Sequence, residues 1–223
     1  MKESAKYDYY IQYLMCATGG FTAAYAVLNH ADFLASAQTA NLIHITLCIT
    51  GRNFPELCLR LIAMLIYMAG LAIPVLISKY THINVKMFCI FIEITMVVLL
   101  FFFTDKMNTI IALYPVFFMT SVQWNSFPGV GSFVSSSVFS TNNLRQFTTS
   151  YIEYICSKDR EQLKKTKFFG CVLLSYHIGV VFSYFIYKEF AMKGIIFCLI
   201  PLLMGMFLLA YSNYQFSARR IIY

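Results

Sequence analysis

Between Ser135 and Ser150 the chain sets twelve side chains that donate or accept hydrogen bonds: Ser135, Ser136, Ser137, Ser140, Thr141, Asn142, Asn143, Arg145, Gln146, Thr148, Thr149 and Ser150. Hydroxyls and carboxamides at that density can replace the hydration shell of a small polar solute, and a guanidinium offers a planar fork to an anionic group. A milder set, Gln38, Thr39, Asn41, His44 and Cys48, includes a stripe of Gln38, Asn41, His44 and Cys48. At about 100° per residue that stripe occupies roughly a third of a helix circumference. Two ionisable side chains, Glu93 and His177, stand alone inside long apolar runs, where they can pair with a charge or carry a proton.

Hydrolytic and cofactor chemistry finds little support. The chain has no HExxH, no GxSxG, no Walker loop and no dinucleotide fingerprint, so neither an enzyme nor a bound cofactor is expected. Seven cysteines, with Cys16, Cys48, Cys89, Cys171 and Cys198 inside apolar runs, include no CxxC pair and no histidine at ligand spacing. They read as small core hydrophobes, and no metal site is expected.

These polar groups must be held by elements that are mostly oil. Of 223 residues, 59% are apolar and 12% charged, against roughly a quarter charged in soluble domains. With 22 Phe, 16 Tyr and 11 Met, the apolar surface exceeds what one soluble core of this size can hide, which makes the lipid bilayer the expected partner. The net charge of +7 is read as an orientation signal and not as a nucleic-acid footprint. Lys2 and Lys6 before an apolar stretch ending in Ala24-Tyr25-Ala26 have the outline of a secretory leader. Gln12 and Gly19-Gly20 interrupt that stretch and the remaining chain is equally apolar, so the first span is expected to be retained.

Hydropathy separates eight candidate helices, at 9–28, 33–50, 58–79, 85–103, 107–126, 133–155, 167–188 and 191–212. At about 1.5 Å per residue each is long enough to reach across roughly 30 Å of hydrocarbon. Short linkers such as His30-Ala31-Asp32, with Asp32 placed to cap the second segment, and the basic run Lys158–Lys167 join them. If all eight cross, twelve cations share the face of the termini against four on the other; if the second and sixth segments dip in and return, the division is eleven to five. Either way both termini are expected in the cytoplasm of a multi-pass cell-membrane protein.

The chain also matches itself. Thr39-Ala40-Asn41-Leu42 pairs with Thr141-Asn142-Asn143-Leu144 at an offset of 102, and Tyr67, Gly70 and Lys79 pair with Tyr176, Gly179 and Lys188 at an offset of 109. The expected fold is therefore all-α, a polytopic transmembrane bundle of two related repeats, 9–104 and 107–213, each of about four helical segments. Four crossings per half make the repeats parallel; three crossings and a dip make them inverted. Segment midpoints put Asn41, Glu93, Asn143, Arg145 and His177 at a common depth. An uncompensated charge there costs roughly 2.5–3.5 kcal/mol on insertion scales, so Glu93 is expected to face Arg145 with His177 nearby.

Gly19-Gly20-Phe21-Thr22-Ala23-Ala24, Thr39-Ala40-Asn41-Leu42, Gln123 with Gly129, and Thr141-Asn142-Asn143-Leu144 together resemble the YoaK-like bacterial membrane proteins, nearly end to end. The chain departs from that pattern at Ala23, where the family has Asp, at Ala40, where it has Gly, and at Trp124, where it has Asn. The resemblance implies a multi-span inner-membrane protein described as a transporter, without a substrate, and it adds Gln123 to the candidate solute-binding set of Gln38, Thr39, Asn41, His44, Ser140, Thr141, Asn143 and Arg145. Glu93 and His177 are the candidates for proton coupling or an ion pair. A carrier or channel for a small polar solute heads the readings, with Arg145 the feature that would favour an anionic group; an accessory protein that binds partner helices is the alternative.

Overall fold

Apolar runs punctuated by asparagine and aspartate caps set the elements. In a computed structural model, which describes residues 2–29 and 38–221, the chain forms α1 (Lys2–Asn29), α2 (Gln38–Thr50), α3 (Phe54–Tyr80), α4 (Val85–Phe101), α5 (Thr109–Ala112), α6 (Tyr114–Ser126), β1 (Gly129–Val130), β2 (Phe133–Val134), α7 (Thr141–Ser157), α8 (Arg160–Phe190), a 3-10 stretch (Ala191–Cys198) and α9 (Leu199–Ile221). Asn53, Asn84, Asn108 and Asp159 each accept a backbone N–H at the start of α3, α4, α5 and α8, which satisfies donors that helix geometry leaves open. The all-α expectation holds apart from one two-residue hairpin. The proposed cap Asp32 lies outside the described residues.

Several boundaries differ from those expected. The segment 133–155 is not one helix: Gly129 and Gly131 have φ of 129° and 59°, and Gly129–Val130 pairs antiparallel with Phe133–Val134. The serine run that follows forms no regular helix, because short hydroxyl side chains compete for backbone groups, and α7 starts only at Thr141. The stretch 107–126 breaks at Leu113, ahead of Pro115. Most of the basic run Lys158–Lys167, expected as a linker, is the opening of α8. The eighth segment begins as a 3-10 turn before α9.

Directions follow from side-chain pairs. Tyr9 and Tyr13 pack on Phe168, and Phe21 on Phe182, so α1 and α8 run parallel. The Tyr114 hydroxyl donates to the Leu59 carbonyl and Asn125 Nδ2 to that of Leu71, so α3 and α6 run parallel as well. Gln123 Nε2 donates to the Met15 carbonyl at 2.6 Å and Gln12 Nε2 to that of Phe127 at 3.2 Å, so α6 opposes α1. The Lys86–Asp8 bridge of 2.9 Å joins the starts of α4 and α1, while the Tyr7 and Tyr211 rings, 5.7 Å apart, join the start of α1 to α9 as it ends. Thus α1, α4 and α8 leave the end of the molecule that holds both termini, and α3, α6 and α9 return to it.

The two short helices do not follow this scheme. Asn41 donates to the Arg60 carbonyl at 3.2 Å, so the 13-residue α2, about 20 Å long, lies along only the opening turns of α3. Ser150 and Thr166 hydroxyls meet at 3.1 Å and Phe147 covers Gly170, which lays α7 on the first part of α8. Both hairpins turn on the same device: a cation in the left-handed region, Arg52 at φ 56° or Lys158 at φ 57°, followed at once by the capping Asn53 or Asp159.

α1 and α6 are buried for most of their length, whereas α3, α4, α8 and α9 carry exposed Leu65, Met68, Phe91, Leu174, Phe185 and Phe207. Contiguous exposed apolar surface is uncommon on soluble monomers. Lys6–Asn29, Phe54–Tyr80 and Arg160–Gln215 are long and apolar enough to cross a membrane. The inner contacts depend on missing side chains. A Cβ on Gly20 would sit 1.9 Å from the Tyr176 carbonyl oxygen, one on Gly179 1.9 Å from that of Ala17, and one on Gly19 2.0 Å from that of Ser137.

Gly20→Ala and Gly179→Ala are each expected to cost about 1–3 kcal/mol through forced helix separation, read as a lower melting temperature of the detergent-solubilised protein. Gly205→Ala, whose new carbon would meet nothing nearer than 3.8 Å, is expected to change stability by less than about 0.5 kcal/mol.

Candidate functional site

The extended limb 135–140 climbs from Gln12, whose Nε2 donates to Ser135 Oγ at 3.1 Å, to Gly19 near the middle of α1. There the chain reverses into α7. Asn143 locks the reversal: its Oδ1 accepts from the Ser136 N–H at 3.0 Å, and its Nδ2 donates to the Ser136 carbonyl at 2.7 Å and the Phe139 carbonyl at 3.2 Å. Extended limb and helix are thereby tied into one hairpin whose tip stops at mid-height. Ser140 stands at the N-cap without a side-chain cap bond, and the hydroxyls of Ser137 and Ser140 have no partner among the described residues.

Asn41 is the counterpart on α2. Its Nδ2 donates to Gln38 Oε1 at 3.0 Å as well as to Arg60, and its Oδ1 accepts from Arg60 Nη1 at 3.4 Å. Arg60 in turn holds Glu56 at 2.7 Å. Thr39 and His44 of α2 are exposed, as are Thr141 and Arg145 of α7, and Gln38 and Ser140 are half-buried. Gln123 is buried, and its bond to Met15 ties the two central helices.

The expected pair of Glu93 with Arg145 does not form. Arg145 is exposed and donates to Asn142 Oδ1 at 3.0 Å, one turn back on its own helix. Glu93 is 1% exposed on α4, where Oε1 accepts from the Cys89 thiol at 3.4 Å and Oε2 has no partner. His177 hydrogen-bonds to neither residue: it is exposed on α8, and its Nδ1–H donates to the Leu173 carbonyl at 2.8 Å. The cause is the way α7 faces. A helix over 133–155 would centre on Leu144, whereas α7 begins at Thr141 and leaves Arg145 on its outer face. The two polar segments are also apart, since α2 packs on α3 and α7 on α8 with no packed interface shared between them.

A different gathering takes their place. At the termini end, a cavity of about 890 Å³ opens among the ends of α3, α6 and α9 and the starts of α1 and α4, lined by Asp8, Lys79, Asn84, Lys86, Asn125 and Ser126 with several apolar neighbours. Its inner wall includes the nearly buried Ser126, which lies against Cys89, which in turn donates to Glu93. Gln12, Ser126 and Cys89 were not anticipated as site residues. Their only signal was a polar atom inside an apolar run, as for Glu93. At the opposite end, Ala23, Ala24, Val27, Tyr176, Val180 and Tyr184 line an apolar groove of about 540 Å³ between α1 and α8.

Asn143→Ala is expected to free one buried N–H and two carbonyls, costing about 1–3 kcal/mol, and to raise thiol-reagent labelling of a Ser137→Cys reporter. Arg145→Ala, on the outer face, is expected to leave stability within about 0.5 kcal/mol in the same melting assay.

Over residues 11–209 the chain matches a family described as a protein of unknown function, DUF1275. No curated protein and no solved structure matches it.

Proposed function

The chain belongs to the DUF1275 family, and on that premise we propose that it is a multi-pass carrier for a small polar solute, built from two inverted repeats, 9–104 and 107–213, with both termini in the cytoplasm. The YoaK-like resemblance is compatible with this membership. In this reading α1, α3 and α4 cross in one half and α6, α8 and α9 in the other. α2 and α7 enter from opposite sides and turn back. The protein carries out no covalent chemistry; it binds and moves its solute.

One observation carries the reading. α1 packs on α8 and α9, and α6 packs on α3 and α4; α2 lies on α3, and α7 on α8. Exchanging the halves maps each contact onto its partner while reversing every helix direction, which is the signature of a two-fold axis in the membrane plane. Gly70 and Gly179, matched by sequence, fall at corresponding crossings: a Cβ on Gly70 would lie 1.9 Å from Ser121 Oγ of α6, as one on Gly179 would strike α1. The left-handed cations Arg52 and Lys158, each followed by its cap, correspond in the same way. Broken helices that stop near mid-depth are the usual means by which inverted repeats present backbone groups to a solute.

Charge supports the orientation. By chain position eleven cations, Lys2, Lys6, Lys79, Lys86, Lys158, Arg160, Lys164, Lys165, Lys167, Arg219 and Arg220, lie at the termini end, against Arg52, Arg60, Lys106, Lys188 and Lys193 at the other. The polar cavity opens at the cytoplasmic end, and the solute passes Ser126 toward Gln123 and the tip locked by Asn143. The anionic preference read from Arg145 loses its support, because that side chain faces outward.

Single-cysteine labelling in oriented vesicles tests the topology: Arg52→Cys and Lys106→Cys are expected to react from outside only, and Gly131→Cys from the cytoplasm only. Eight full crossings would reverse all three results. For function, a polar metabolite that raises the melting temperature is expected to enter proteoliposomes holding the protein. Stable co-purification of a membrane partner, with no flux of any stabilising metabolite, would establish the accessory role instead.

A further inference from the structure

Glu93 lies in the middle of α4, and in a bilayer a carboxyl group there requires a reason. None of the common structural reasons applies. Among the described residues no Lys, Arg or His comes within ion-pair distance of it. Its own helix offers Cys89, the 3-10 stretch offers Cys198, and α6 offers the Ser126 hydroxyl beside Cys89. α3 from Leu61 to Ser78 has no charged or histidine side chain and one other titratable group, Tyr67. α9 from Leu199 to Tyr211 has none charged, and Tyr211 sits away at the termini end against Tyr7. One carboxylate oxygen accepts a weak thiol bond and the other accepts nothing from the described residues. Among those residues no ion pair or hydrogen-bond lattice compensates a negative charge in this place.

The group is nevertheless near the polar cavity. Ser126, 5% exposed, belongs to the wall of that cavity, its hydroxyl is turned inward with no hydrogen-bond partner among the described residues, and it neighbours Cys89, whose thiol donates to Glu93. Ser126, Cys89 and Glu93 thus form a short polar line from the cavity into a bundle that is otherwise apolar at this level. We infer that Glu93 is the proton-carrying group of the protein, loaded from the cytoplasmic cavity past Ser126 and Cys89, so that solute movement is coupled to protons. In the loading step a hydronium ion in the cavity gives its proton to the Glu93 carboxylate and leaves as water; release is the reverse. Neutralising the carboxylate removes a charge from the bundle interior and lets α4 move against α6 and α9 without exposing an ion to hydrocarbon. The inference rests on the carrier reading and names its coupling ion.

Infrared difference spectroscopy of the purified full-length protein in lipid vesicles tests it. Subtracting alkaline from acidic spectra is expected to show a component at the high-frequency edge of the carboxylic-acid region, where a carbonyl without donors absorbs, and Glu93→Gln is expected to lose it. In heavy water the component is expected to shift promptly in the wild type and slowly in Ser126→Ile, which keeps Glu93 but plugs the line. Identical difference spectra for wild type and Glu93→Gln, or a component that never exchanges, overturn the inference. Flux of the stabilising metabolite is measured in the same vesicles. Loss of the component in Glu93→Gln with no flux from any variant overturns the carrier reading alone, whereas wild-type flux with unchanged spectra overturns the proton site alone.

Discussion

Everything in this bundle is organised around the bare backbone of α1 at Gly19 and Gly20. Two different structures press on that spot: the non-helical tip at Ser137 and the shaft of α8 at Tyr176. Neither contact tolerates a Cβ, and each places main-chain atoms where side chains normally sit. Dispersion at such short range, with water excluded, is the main glue available where lipid tails are as apolar as the helices themselves. The same crossing recurs between α3 and α6, where Gly70 meets Ser121 and the carbonyl of Phe118. Small residues therefore decide which helices touch, and large side chains such as Phe21, Phe117 and Leu202 fill the space around those crossings.

Once the central helices are fixed, the polar segments have little freedom. The limb 135–140 is pinned at one end by Gln12 and closed at the other by Asn143, which saturates three backbone groups that would otherwise be buried without partners. Asn41 plays the same part for α2 by bridging to Arg60. These carboxamides hold the geometry of the hairpins, and their neighbours Thr39, Thr141 and Arg145 look away from the interior.

Much of the architecture was legible in the sequence, for reasons that also explain where reading stops. Composition and hydropathy lead to long apolar helices, and three stretches of the described residues are long and apolar enough to cross a membrane. The two Thr-x-Asn-Leu elements stood out because a carboxamide is costly in lipid unless its donors and acceptors are met, and both Asn41 and Asn143 are indeed buried and bonded. Hydropathy does not, however, distinguish a helix from an extended limb followed by a helix, because the averaged apolarity of 133–155 is the same either way. That ambiguity hid the reversal ahead of α7, and the outward facing of Arg145 on that helix removes its expected pairing with Glu93. His177 shows a second limit: depth alone does not fix which way a side chain points around its helix. Ser126 and Cys89 carry no pattern in sequence at all, and only the crossing of α4 with α6 brings them together.

The glycine crossing on α1 also has a consequence for biosynthesis. Gly20 leaves the ribosome more than 150 residues before Tyr176, the backbone it will touch. At roughly 5–20 residues per second, the first helix waits on the order of ten to thirty seconds with its notch unfilled. During that interval the surface reserved for α8 has no partner from its own chain, and the later helices must find it already in place. Assembly of this protein is therefore completed from its C-terminal half inward, however early its central helix is in place.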